Sequence, residues 1–351
     1  MRVPAELENS GPAVMAGFGP RVMLCPEPAR GAALEVLYRR VPSVLRDRLI
    51  ADVLDEARRG EVDLSGLWVA RDRAGRILGA LLTQPLAGKA AALWAPEVRA
   101  SWGRARLAAA LVEIALVDLT ARGFRLVQAV LDESAGPQAA RDLTRGGMPR
   151  VTELIYLERD TASPLPPGAI GRGSPDPALP AHPPPPASFH WQPYGPEIEA
   201  EFRAVLEATY QGSLDMPELE GTRGLEDILD GHRGAGLFAP GHWQLGRIPG
   251  EPAAAAVLLM TEVPGRDAWE VIYLGLTPAA RGRGLGRAVL RRALELARDH
   301  TPRLELAVDL RNTPAVRLYG AAGFTVRDRR AVHLAILGGS GQASAAPPPQ
   351  T

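Results

Sequence analysis

"LGLTPAARGRGLGRAVLRR", residues 274–292, joins an apolar run to an amphipathic one through a turn carrying Gly282, Gly284 and Gly286 among Arg281, Arg283 and Arg287. Glycines at a strand-to-helix turn let backbone come close to a partner, because no Cβ stands in the way. Three phosphate-binding patterns can be set against the stretch. A P-loop needs a lysine after its second glycine, and there is none here. A dinucleotide fingerprint built on Gly284 and Gly286 places Val289 at the third glycine, and the turn does not follow the first strand of a parallel βαβ unit. RxxGxG fits, with Arg281, Gly284 and Gly286. In that scheme the first turn of a helix offers N–H groups without intrahelical partners, the helix dipole adds partial positive charge, and the glycines let a pyrophosphate approach. Pro278 helps end the preceding strand by withholding a ladder donor.

The surroundings of the stretch set its context. The chain has 351 residues, enough for two domains, with 46% hydrophobic and 23% charged residues. Net charge is zero, so no global bias toward nucleic acid or an anionic membrane exists. Lys89 is the sole lysine; arginine, alanine, glycine and proline are abundant, as in a GC-rich coding sequence, so arginine density by itself is no evidence for phosphate binding. Cys25 is the single cysteine, which excludes an intrachain disulfide framework and fits a reducing compartment. No apolar run approaches the roughly 20 residues of a membrane span, and the N-terminus lacks a secretory pattern, so a cytoplasmic protein is expected. The six histidines show no metal-ligand spacing, and no metal is expected.

Residues 161–188 hold ten prolines in 28 positions and read as a linker. Residues 1–20 and 338–351 lack apolar periodicity and are expected to be disordered. The two stretches between, 21–160 and 189–337, run through the same order of elements. "GRARLAAALVEIALVDL" (103–119) lies over "GLGRAVLRRALELARDH" (284–300), and "AARDLTRGGM" (139–148) over "AVRLYGAAGF" (315–324), without gaps. The chain therefore reads as a duplicated α+β domain. Its last segment is expected to close as a hairpin through "FTVRD" and "AVHLAIL".

Around the turn, "WEVIYLGLTP" precedes RxxGxG, and "LAVDLRNTPAVRLYGAAGF" follows the helix. This combination resembles the GNAT superfamily of acetyl-CoA-dependent acyltransferases, over residues 188 to 337; the first half resembles the same fold more weakly. The resemblance implies two tandem GNAT-like domains, each a mixed, mostly antiparallel sheet flanked by helices. It implies splayed strands with the pantetheine arm of acetyl-CoA against the backbone of Leu274, Gly275 and Leu276, and the Leu276 N–H in an oxyanion-hole role. The pyrophosphate would lie on Arg281, Gly282, Arg283, Gly284, Leu285, Gly286 and Arg287. Asn312 would contact the cofactor arm; it is equally a cap for the helix starting near Pro314. Tyr319 would protonate the departing thiolate; its other reading is a core tyrosine above Phe324. Glu270 stands where related enzymes carry a base, and a solvated strand-end glutamate is the alternative.

The acceptor in this fold is walled by the segment between the first two helices, here "YQGSLDMPELEG" with Asp215, Glu218 and Glu220, which suits a cationic amine on a small molecule or peptide. The first half departs from the pattern, with Ala100 for Arg281, Trp102 for Arg283 and Leu143 for Tyr319, while Gly103 and Ala105 keep the small residues. It is expected to be catalytically lapsed and to shape the acceptor cleft. Two other functions fit the motifs: a silent acyl-CoA-binding regulatory module, and a tandem GNAT synthase acylating a thiol or sugar cofactor precursor. Assembly is expected to be a monomeric pseudo-dimer or a homodimer.

Overall fold

The computed structural model describes residues 20–99, 101, 103–166 and 189–338. Most of the expected disordered ends and linker, with Ala100 and Trp102, lie outside the described residues.

The first half runs β1 (Arg21–Leu24), α1 (Arg30–Leu37), α2 (Ser43–Arg58), β2 (Leu67–Arg71), β3 (Ile77–Leu86), β4 (Ala90–Leu93), β5 (Glu97–Val98), α3 (Arg104–Ala121), β6 (Leu126–Leu131), α4 (Gly136–Arg145) and β7 (Arg150–Asp160). The second runs β8 (His190–Pro193), α5 (Glu199–Tyr210), α6 (Leu225–Arg233), β9 (Trp243–Arg247), β10 (Ala254–Glu262), β11 (Trp269–Leu276), α7 (Gly286–Arg298), β12 (Arg303–Asp309), α8 (Thr313–Ala321) and β13 (Thr325–Ile336). Apart from the short β5, the order repeats. The α+β class holds, and so does the duplication of elements.

The halves do not keep separate sheets. Twelve strands lie in one sheet in the order β1-β2-β3-β4-β6-β13-β7-β12-β11-β10-β9-β8, with β5 attached to β3. The last strands have changed places: β13 inserts against β6 of the first half, and β7 pairs with β12 of the second. The two exchanged strands are antiparallel neighbours from Thr325↔Glu158 to His333↔Arg150. Only β4–β6 and β11–β12 are parallel, one pair in each half.

The expected closing hairpin is a single strand. "RDRR" at 327–330 reads as a turn because it is polar, but Asp328, Arg329 and Arg330 pair with Tyr156, Ile155 and Leu154 of β7, and their charged side chains find partners of opposite sign. Arg330 pairs with Asp328 at 2.7 Å, Arg329 with Glu153 at 3.3 Å and Arg327 with Glu305 at 3.4 Å. A register shift between Val326 and Asp328 absorbs the irregularity as a bulge.

Alternation along the strands assigns the helices to faces. Ala91, Val127 and Ala129 pack with α3, and Val271, Leu304 and Leu306 pack with α7, on one face. On the other, Val69 and Leu82 pack under α1 and α2, and Leu245, Val257 and Leu259 under α5 and α6. A small cluster crosses the seam: Ala90 and Leu126 of the first half and Val332 and Leu334 of β13 carry Met216 and Leu219 from the α5–α6 loop. The loop expected to wall the acceptor is thus seated on the first half. Next to it, the β3–β4 turn docks on α6. A Cβ at Gly88 would stand 1.9 Å from the Asp227 carbonyl oxygen, so only glycine permits this approach. Lys89 pairs with Asp227 at 3.2 Å across the same contact.

Candidate active site

The site begins with a divergence of strands. β11 and β12 pair at only three positions, Trp269↔Leu304, Glu270↔Glu305 and Val271↔Leu306. Beyond them β11 continues to Leu276 against β10 alone, and β12 to Asp309 against β7 alone. A bulge in this stretch shifts the pairing from Met260↔Val271 to Leu259↔Tyr273. Leu274 and Leu276 therefore pack toward α7, while Ile272 and Tyr273 pack toward α5. Between the parted strands lies a cavity of about 630 Å³.

Leu274, Gly275 and Leu276 form one wall of the cavity, and Gly282, Gly284, Leu285, Gly286 and Arg287 another. Gly282 and Gly284 have φ of 73° and 74°, left-handed values that cost an L-residue with a Cβ. Helix α7 starts at Gly286 with no side-chain cap; the Arg287 and Ala288 amides bond the Gly284 and Leu285 carbonyls at 3.4 and 2.9 Å, whereas the Gly284, Leu285 and Gly286 amides have no backbone partner among the described residues. Gly275 is required by packing: a Cβ there would lie 2.6 Å from the Tyr273 ring and 2.7 Å from Thr209.

The arginines divide. Arg281 lines the cavity, yet its guanidinium donates to the carbonyls of Leu276 (3.1 Å), Thr209 (2.7 Å), Gln211 (2.6 Å) and Gly212 (3.0 Å). It closes the C-terminus of α5, where carbonyls lack helical partners, and fastens it to the end of β11. The guanidinium that the resemblance assigned to a pyrophosphate thus bonds backbone carbonyls in this structure. Arg283 pairs with Glu251 at 2.6 Å and is absent from the cavity wall. Arg287 does line the cavity. Arg317, on α8, lines it too and has no carboxylate partner among the described residues; sequence reasoning missed it, and its place one turn after Asn312 was the available signal.

Tyr319 and Asn312 reach the cavity from α8. The Tyr319 residue is only 7% exposed, with its ring 5.9 Å from Phe324, and burial followed by the charge of Asp215 holds its phenol well above the ordinary range. It is both packed in the core and open to the cavity, so its two readings are compatible. Asn312 caps α8, its side-chain oxygen accepting from the Ala315 N–H at 3.3 Å.

Glu270 does not join this group. It lies on β11 beside Glu305, on the face that carries α5 and α6, and is not part of the cavity wall. Burial, and then Glu305, raise its carboxyl pKa, with partial offset from Arg266 and Arg327. Of the three loop carboxylates, Asp215 lines the cavity; Glu218 is held by Arg311 at 2.6 and 2.9 Å, and Glu220 accepts from the Gly212 N–H at 3.3 Å.

The equivalent region of the first half is bridged. The ungapped alignment puts Arg104 at Leu285, Gln138 at Pro314 and Asp142 at Leu318, three positions that line the cavity in the second half. Arg104 pairs with the fully buried Asp142 at 2.7 Å, and Gln138 donates to its other oxygen at 2.8 Å. Leu143, in place of Tyr319, is wholly buried. No group of three or more His, Cys, Asp or Glu able to hold a metal occurs among the described residues. None of their helices is long and apolar enough to cross a membrane.

Splayed parallel strands, a glycine turn entering a helix and a tyrosine on the following helix define the class. Residues 206–324 match the Acetyltransferase (GNAT) family. Among curated proteins it is 35% identical over 190 residues to mycothiol acetyltransferase of Beutenbergia cavernae, covering 54% of this chain and 60% of that one. It is 30% identical over 226 residues to mycothiol acetyltransferase of Acidothermus cellulolyticus, covering 58% and 63%. The matches thus span somewhat under two thirds of these relatives. A GCN5-related N-acetyltransferase from Sphaerobacter thermophilus superposes over 90% of this chain and 95% of its own, with a TM-score of 0.54 and 17% identity, a likeness of fold that extends through both halves.

Proposed function

We propose that the second half transfers an acetyl group from acetyl-CoA directly to a primary amine, and that the first half is catalytically lapsed. The observation that carries this reading is the opening between β11 and β12, walled by an unpaired strand edge, an uncapped helix start and a buried phenol. The residues present fit acetyl-CoA as co-substrate. The edge of Leu274–Leu276 offers pairing to an extended amide arm, and Gly282–Gly286 with Arg287 and Arg317 offers amides and charge to phosphates. A main-chain N–H of that edge, assigned to Leu276, polarises the acyl carbonyl. Tyr319, kept protonated by burial, donates its proton to the leaving sulfur. Glu270, with its raised carboxyl pKa, removes the ammonium proton of the approaching amine, acting from the α5–α6 face outside the cavity.

The favoured acceptor class is the amine of a thiol-bearing or sugar-bearing cofactor precursor, since the two relatives named above are mycothiol acetyltransferases. The test supplies acetyl-CoA with a panel of amines, including cysteamine, glucosamine and a lysine peptide, and follows free thiol. Turnover lowered about 100-fold in Tyr319→Phe supports the enzyme. Acetyl-CoA binding with equal silence in wild type and variant would make the chain an acyl-CoA-binding module.

A further inference from the structure

A primary ammonium becomes an amide by losing two protons from nitrogen. One leaves to solvent; the other balances the thiol product. Glu270 accounts for the first. On the acetyl-transfer reading above, we propose that Asp215 takes the second proton from the acceptor nitrogen and returns it to Tyr319.

Asp215 is the only carboxylate among the described residues that line the cavity, and Tyr319 lines the same cavity. Its position is fixed from three sides. Its Oδ1 accepts from the Asp309 backbone N–H at 2.8 Å, and its own backbone N–H donates to the Ser213 hydroxyl at 3.1 Å. The next residue, Met216, adopts a left-handed conformation with φ 46° and donates its N–H to Asp309 Oδ2 at 3.1 Å. A non-glycine residue held there carries roughly 1 kcal/mol or more of strain, so the surroundings over-determine the loop. They include the first half, whose Thr152 hydroxyl donates to Asp309 at 2.5 Å.

The two neighbouring carboxyls are set apart by their donors. Asp309 is fully buried, which pushes its carboxyl up, but Arg311, the Thr152 hydroxyl and the Met216 N–H together outweigh burial and hold it below the usual range. Asp215, beside it, is raised by burial first and then by Asp309. A pair of acids split this way marks one as a fixed charge and the other as a proton carrier. The charged and titratable groups facing Asp215 are Asp309 and Arg311 at the end of β12, Tyr319 on α8, Tyr210 on α5 and Tyr273 on β11.

The step balances. The amine nitrogen bonds the acetyl carbon as its N–H proton moves to the Asp215 carboxylate. The C–S bond breaks with its electron pair on sulfur, Tyr319 protonates the sulfur, and the proton on Asp215 restores the phenol.

The test compares Asp215→Asn, Asp215→Glu and Glu270→Gln by thiol release with cysteamine and glucosamine, alongside calorimetry of acetyl-CoA binding. The expected result for Asp215→Asn is a fall in kcat of about 100-fold that alkaline pH does not restore, acetyl-CoA affinity within twofold, and partial recovery in Asp215→Glu. Glu270→Gln recovers at alkaline pH, where the amine is already neutral. A kcat for Asp215→Asn within threefold of wild type overturns the inference and leaves the acetyl-transfer reading standing; failure of wild type to bind acetyl-CoA overturns both. A second measurement needs no turnover. The tyrosinate absorbance titration, taken as the difference from Tyr319→Phe, moves to lower pH in Asp215→Asn if the two groups are neighbours. An unchanged curve overturns the proposal.

Discussion

Replacing Arg281 by Met separates a residue that shapes the protein from one that holds the co-substrate. The methionine keeps most of the aliphatic stem and removes the guanidinium. Four carbonyl contacts disappear, of which those to Leu276 and Thr209 are half-buried and those to Gln211 and Gly212 have an exposed partner. Counting only the two half-buried bonds at about 1–1.5 kcal/mol each gives about 2–3 kcal/mol. For a folding unit of this size each kcal/mol corresponds to about 2–4 °C, so the melting temperature falls by about 4–12 °C. The C-terminus of α5 loosens with it, taking the loop that carries Asp215. Turnover then drops through kcat, while acetyl-CoA affinity at a temperature where both proteins are folded changes by less than threefold. The assay pairs thermal unfolding by circular dichroism with calorimetric titration of acetyl-CoA. An unshifted melting temperature combined with a tenfold or greater loss of affinity would refute the reasoning and restore Arg281 as a phosphate contact.

Tyr319→Phe lowers kcat by about 100-fold with the KM for acetyl-CoA within about twofold, measured by thiol release. Glu270 has a folded-state pKa raised above its unfolded value, so the stability it lends at acid pH is lost as pH rises through the folded pKa. Glu270→Gln is therefore more thermally stable than wild type at pH 7 and no more stable at pH 4, while its activity is lower at pH 7 and recovers in alkali. In the first half, Arg104→Leu leaves Asp142 buried and unpaired, with an expected cost of about 3–5 kcal/mol by denaturant unfolding. The double change with Asp142→Leu recovers most of that loss, and calorimetry of wild type gives one acetyl-CoA per chain.

The fold was legible where the chain repeats itself and where local chemistry is unambiguous. The ungapped blocks at 103–119 and 284–300 named the duplication, and α3 and α7 begin and end within two residues of them. The exchange of β7 and β13 was not legible, because "VTELIYLE" and "AVHLAIL" carry the alternation of any inner strand and nothing in them names a partner. At the site, the glycine turn, Asn312 and Tyr319 were readable because each has a backbone or spacing requirement. The use of Arg281 was not, since an arginine in a phosphate pattern and one fastening a helix end look alike in sequence. Asp215 was visible only as one of three loop acids; its distinction comes from Arg311 engaging Glu218 and from Asp309, at the end of an apparently ordinary strand.

The crossed strands bear on how such a protein can change over generations. Each half keeps an inner strand that belongs, by chain order, to the other. Cutting the gene within the proline-rich segment yields two products, each with a strand missing from its own sheet and an apolar one left exposed. A duplicate that has lost its chemistry is ordinarily free to be deleted. Here deletion would remove β7 from beside β12 and the seat of the α5–α6 loop. The first half is retained by architecture: its surface can drift, but its last strand, Ala90 and Leu126 under the loop, and Gly88 against α6 cannot.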